Sequence, residues 1–123
     1  MENNIFIVLA KIDHILYKSR AYNTVISHEH KLDAVNFHDC RLGKWYDNEG
    51  KARFSTTSSY AAIAMPHKVV HENANKNINY IDTMSAFEVI NHGDEIITNF
   101  KTMEEASSKL FVLLDSMLQE SKR

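Results

Sequence analysis

The stretch Asn4-Ile5-Phe6-Ile7-Val8-Leu9-Ala10-Lys11-Ile12-Asp13-His14-Ile15-Leu16 carries Ile5, Val8, Leu9, Ile12, Ile15 and Leu16 at three-and-four spacing. That period is the apolar stripe of an amphipathic helix. The pattern predicts one helix over residues 4 to about 25, with Asn3 or Asn4 capping its start. The stripe is expected to face the core, with His14 at its edge.

The same period recurs downstream. Ser55 to Ser59 offers several caps, and Tyr60, Ile63 and Ala64 open a second stripe that Val70, Ala74, Ile78 and Ile81 continue. Pro66 predicts a kink at 63–66 or a fresh helix there. Phe87 and Ile90 make a short stripe, and Asn91-His92-Gly93-Asp94 predicts a break with Asp94 capping the next helix. Ile96, Ile97, Phe100, Met103, Leu110, Leu113, Leu114, Met117 and Leu118 run almost to the end, and Gln119 to Arg123 reads as a frayed polar tail. Residues 27 to 38 read as a polar loop. Asp39 is placed to cap a short helix from Cys40 to about Asn48, with Leu42, Trp45 and Tyr46 on its apolar face. Asn48-Glu49-Gly50 reads as a stop and turn. Gly43 weakens that helix, and close approach of another backbone is the physical reason for a glycine there.

Three Gly and one Pro in 123 residues are too few for hairpins and sandwiches. The reading is an all-α fold, a four-helix bundle with an extra short helix carrying the Cys segment. One domain is expected over residues 1–123. Hydrophobic residues make up 44% and charged residues 24%, with a net charge of −2, so no basic excess exists to neutralise a phosphate backbone. Nucleic acid is therefore not an expected partner. No apolar run reaches the roughly 20 residues of a membrane span, and the Ile5 to Ala10 run, without a basic lead or small-residue cleavage site, is not expected to be a signal peptide. A single cysteine fits a reducing cytoplasm.

That cysteine, Cys40, has no partner for a disulfide within the chain. His67 and His71, at i and i+4, share one helix face and can grip one metal ion. Zinc asks for four donors, with thiolate and imidazole preferred at structural sites. Cys40, His67 and His71 supply three. His14, His28, His30, His38 and His92 are the candidates for the fourth, with His14 best placed because it stands on a long helix near the inward face. The metalloprotease reading fails because Lys68 stands where that helix needs Glu. No glycine-rich phosphate loop and no Ser/His/Asp arrangement is present, so no catalytic residue is assigned.

Three segments carry a resemblance. Asp13-His14 with Tyr17-Lys18, then Cys40-Arg41-Leu42-Gly43-Lys44-Trp45-Tyr46, then Pro66-His67 with His71, resemble the chemoreceptor zinc-binding domain in order and spacing. The resemblance implies a Zn2+ site of His14, Cys40, His67 and His71, selecting His14 from the five candidates. Tyr17 stands where many members have Trp. The family is found at the cytoplasmic C-terminus of bacterial chemoreceptors and at the N-terminus of some diguanylate cyclases. It implies a cytoplasmic sensory domain, not an enzyme, excised from the end of a soluble receptor and read by an upstream signalling domain. It also implies that Cys40 is a redox-reactive zinc thiolate sensing oxidants such as hypochlorous acid. Two other readings stay open: a sensor of free zinc through occupancy, and a metal-free helical interaction module. A homodimer is expected from the long apolar last helix and from the pairing habit of receptors.

Overall fold

The computed structural model describes residues 3–29 and 32–122. It is helical, with no strand among the described residues: α1 (Asn3–Ser27), α2 (Arg41–Trp45), a π-helical turn (Tyr46–Gly50), α3 (Lys51–Phe54), α4 (Ser58–Thr83), α5 (Ala86–Asn91) and α6 (Gly93–Ser121). Three long helices form the bundle. α6 runs antiparallel to both others, through Ser59–Glu120 and Tyr80–Glu95 towards α4 and through Lys11–Asp115 and Lys18–Glu104 towards α1. The short α2-to-α3 segment packs across the bundle in the place of a fourth rod. No helix is long and apolar enough to cross a membrane.

Local chemistry sets the helix ends. Thr57 caps α4 through Tyr60 N, and Ser85 and Glu88 form a capping box on α5. α4 is one helix through a buried Pro66, so no new helix starts there. A bundle that buries Ile63, His67 and Val70 on either side of the proline holds the helix despite one missing N–H. The break at residues 91–93 is present, but His92 flanks the start of α6 and Asp94 lies within its first turn. Asn48-Glu49-Gly50 does not stop the chain. It widens into the π-helical turn and continues as α3, with Gly50 pressed against the Trp45 ring, where a Cβ would come within 2.7 Å of Cζ3. The polar end of α6 is not frayed: Glu120 accepts from Ser59 N at 2.9 Å and Ser58 Oγ at 3.0 Å, capping α4 from outside.

The apolar core falls into two clusters. One gathers Ile7, Ala10, Leu42, Trp45, Phe54, Ile63, Leu110, Leu114 and Met117. The other gathers Ala21, Val70, Ala74, Met103 and Ala106. Most of the α4 and α6 stripes therefore face inward as their period predicts, but Ile97, counted in the α6 stripe, points outward, as do Phe87 and Ile90 on α5. α1 does not follow its stripe. Ile5, Val8, Ile12, Ile15 and Leu16 point outward, while Ile7, Ala10, His14, Ala21 and Thr24 are buried. Residues two apart on a helix lie about 200° apart, so turning His14 to the core turns Ile12 to the surface. Ala10 and Ala21 on the inward face leave room for a ring between them.

Adjacent isoleucines in α6 test this register. Ile96 is 5% exposed and Ile97 67% exposed. Ile96→Ala is expected to cost about 2–5 kcal/mol in urea unfolding, and Ile97→Ala to stay within about 0.5 kcal/mol.

Candidate metal centre

His14 on α1, His67 and His71 on α4, and Cys40 at the head of α2 meet between the two apolar clusters. Each offers one donor atom, and the four atoms lie within 4.8 Å of one another. The Cys40 sulfur sits 3.2 Å from His67 Nε2. The ring centroids are 5.0 Å apart for His14–His67, 5.5 Å for His14–His71 and 4.9 Å for His67–His71. All three histidines are buried and Cys40 is half-buried.

The tautomers of two rings follow from their partners. His14 Nδ1 lies 2.9 Å from Ala10 O, and His71 Nδ1 lies 3.0 Å from Val35 O. A carbonyl can only accept, so Nδ1 carries the proton and Nε2 is left as a lone pair. Both Nε2 atoms are buried and have no partner in the protein. Two bare imidazole lone pairs aimed at a thiol and a third imidazole are what a soft divalent cation requires, and the Nδ1 bonds fix ring orientation from behind. The donor set fits zinc.

Electrostatics agree. Burial lowers the pKa of His14 from its ordinary value, and lowers His67 to about 2 and His71 to about 4, with neighbouring histidines adding repulsion in the last two cases. The rings are therefore neutral bases at neutral pH. Burial pushes the Cys40 thiol up, against hydrogen bonds from the Gly43 and Leu42 amides that favour the thiolate. A nearby cation reverses that balance.

The segment around Cys40 is shaped for this position. Asp39 was expected to cap α2, but Cys40 itself is the N-cap, its sulfur accepting from Gly43 N at 3.4 Å. Gly43 answers to a close approach: a Cβ there would stand 1.9 Å from Phe37 O. The loop before Cys40 folds over the histidines, laying the Phe37 ring 5.4 Å from that of His67 and presenting Val35 O to His71. Asn75 Nδ2 donates to the same Val35 carbonyl at 2.9 Å, and Tyr17 OH donates to Asn75 Oδ1 at 2.5 Å while its ring leans on His71. Tyr17 thus fills the aromatic position. On the far side, Tyr46 OH donates to Tyr60 O at 2.6 Å and Tyr60 OH to Tyr46 O at 2.7 Å, with the rings stacked. This clasp ties the Cys40 segment to α4 two turns before His67. A cleft of about 430 Å³, lined by Asp13, Arg20, Arg41 and Tyr17, reaches Cys40 and His71.

Residues 14–78 match the family described as the chemoreceptor zinc-binding domain. The chain belongs to that family. Neither a curated protein nor a solved structure matches it. The cofactor of this zinc-binding domain is Zn2+.

The structure brings together His14, Cys40, His67 and His71. It leaves out the other candidates: His38 is exposed and paired with Asp47 at 2.9 Å, His92 bonds Glu88 O at the foot of α6, and His28 follows the end of α1 with φ of 50°. His30 lies outside the described residues. Val35 and Asn75 were not singled out from the sequence. Asn75 stands one turn after His71 on the same face, which is a usable signal; Val35 acts through its carbonyl, which every residue has.

The lowered histidine values set a pH dependence for the metal-free domain. An unfolded chain binds protons at these rings near pH 6.5 and the folded chain does not, so stability rises with pH through this window. Chelator-treated protein should hold its melting temperature above about pH 7 and lose it steadily from pH 6.5 towards 4. A flat profile would contradict the buried neutral rings. Gly43→Ala should displace the Phe37 carbonyl and weaken zinc binding, read by competition with a chromogenic chelator.

Proposed function

We propose that the chain is a zinc-binding sensory domain of a cytoplasmic chemoreceptor, with His14, Cys40, His67 and His71 holding the metal and Cys40 acting as an oxidant switch. The observation that carries it is the pair of buried, unpartnered Nε2 atoms converging with a third imidazole on one thiol. Four protein donors close a tetrahedral shell and leave no position for an activated water. The reading is accordingly not an enzyme.

Bound zinc supplies the positive charge that holds the Cys40 sulfur as thiolate. Without it, burial keeps the group a thiol and a weak nucleophile. The cleft beside Arg41 admits a small oxidant to that sulfur. With hypochlorous acid, thiolate and oxidant yield sulfenic acid and chloride: sulfur loses two electrons and chlorine gains them. The oxidised sulfur is a poorer donor, to the metal and as the acceptor that caps α2 at Gly43 N. Releasing both frees the head of α2. The Tyr46–Tyr60 clasp passes the shift to α4, and an upstream receptor signalling domain reads the movement. The domain pairs with a second copy, and nucleic acid takes no part. Structural zinc contributes roughly 10–16 kcal/mol in small domains, so losing one donor is large enough to move helices.

Elemental analysis of protein purified without added metal should give one zinc per chain. His14→Ala, Cys40→Ala, His67→Ala and His71→Ala should each lower zinc affinity strongly. Stoichiometric hypochlorous acid should add one oxygen to the zinc-loaded chain at Cys40, and none to Cys40→Ser. An unchanged intact mass would sink the switch and leave zinc occupancy as the input. Absence of zinc with no response to chelator would point to a metal-free module.

A further inference from the structure

The histidines of the centre are not held alike. His14 Nδ1 bonds Ala10 O one turn back on its own helix, so α1 alone orients that ring. His71 Nδ1 bonds Val35 O, 36 residues away in sequence. Val35 stands in a stretch, residues 33–36, where neither helix nor strand fixes the carbonyl. An acceptor on a loop orients a ring only as well as the loop itself is held. Asn75 supplies the hold. It lies on α4 one turn after His71, and its Nδ2 donates to the same Val35 carbonyl at 2.9 Å. A carbonyl oxygen has two lone pairs, and α4 occupies both, with a ring and an amide side by side on one helix face. Tyr17 OH donates to Asn75 Oδ1 at 2.5 Å, which settles which end of the amide faces Val35. Tyr17 stands on α1 three residues after His14, and its ring lies against His71 with centroids 4.8 Å apart. The three segments that carry His14, carry His71 and lead into Cys40 are thus tied together a second time, by bonds that need no cation.

We infer that Asn75 is a positioning residue of the metal centre: through the Val35 carbonyl it aims His71 Nε2 at the other donors, and the Tyr17 hydroxyl orients Asn75. This deepens the metal-site reading and rests on it. The role is one of affinity. A ring free to turn must be ordered at each binding event, and a ring held beforehand need not be. The partners that hold a ligating histidine from behind commonly set metal affinity in this way. Asn73 gives the contrast within the same helix. It is buried two residues after His71, and its Nδ2 donates at 2.9 Å to Val69 O, a carbonyl of α4 itself. Residue type, helix and kind of bond are shared, but Asn73 has no bond to the loop that orients the ring.

The test is zinc affinity by competition with a chromogenic chelator, together with the ligand-field spectrum of the Co2+-loaded chain. Asn75→Ala should lower zinc affinity about 10–100-fold and shift the cobalt bands, while Asn73→Ala should do neither. In a His71→Ala background, Asn75→Ala should cost no further zinc affinity, because it acts through that ring. Tyr17→Phe keeps the aromatic ring and removes only the hydroxyl. It should weaken zinc binding less than Asn75→Ala does, and add nothing once Asn75 is replaced. Should Asn75→Ala not fold, Tyr17→Phe decides, and an unchanged zinc affinity in it overturns the inference. Unchanged affinity in Asn75→Ala, an undiminished loss in the His71→Ala background, or an equal loss in Asn73→Ala would overturn it as well. A wild type that takes up no zinc sinks the metal centre and this role with it. A wild type that binds zinc, with Asn75→Ala binding it equally well, sinks the positioning role alone.

Discussion

Two imidazole edges sealed inside the bundle without a protein partner are the constraint on which the remaining structure depends. Each unpaired polar atom costs about 1–3 kcal/mol when buried, and here two lie within reach of each other, a third ring and a sulfur. The chain accepts this cost in the middle of its core, with an apolar cluster above and another below. A cation converts the cost into binding. The protonated alternative is closed off, because burial and mutual repulsion hold His67 and His71 far below their ordinary values.

Much of the surrounding geometry exists to keep those edges aligned. Ala10 O and Val35 O pin two rings from behind. Asn75 and Tyr17 pin Val35 in turn. Gly43 lets the preceding loop close over the rings, and the sulfur that completes the set is also the cap of its own helix. Donor and cap share one atom, which makes the fold of this segment sensitive to sulfur chemistry. The rotation of α1 follows as well. Bulk alone would turn Ile5, Val8, Ile12 and Ile15 inward, yet alignment of His14 decides the orientation and sends them outward.

How much was legible in the sequence varied with the physics involved. Periodicity reported most of α4 and α6 because the bulk of their apolar stripes packs in the core, and it failed at Ile97, which extends the pattern but faces outward. It misassigned the face of α1 because two series of equal period lie on that helix, and the less bulky one carries His14. Resemblance, not spacing, had selected His14 from five histidines, and the structure brings it to Cys40, His67 and His71. The extension of the Cys40 helix through a π-helical turn was hidden, since Asn48-Glu49-Gly50 has the composition of a turn and only the Trp45 ring against Gly50 explains why it is not. Val35 was invisible for a simpler reason: a carbonyl acceptor leaves no trace in side-chain identity.

The bonds from Glu120 to the first turn of α4 give the last turn of α6 a mechanical meaning. α4 starts against Glu120 and carries His67 about two and a half turns later and His71 about three and a half. A dye, spin label or fused reporter placed near Glu120 would thus be geared to the helix that bears half of the histidine-and-sulfur set, although it sits far from the cleft. The same linkage is a caution for tagging, since a bulky fusion that pries Glu120 loose would unseat the start of that helix and detune the centre at a distance.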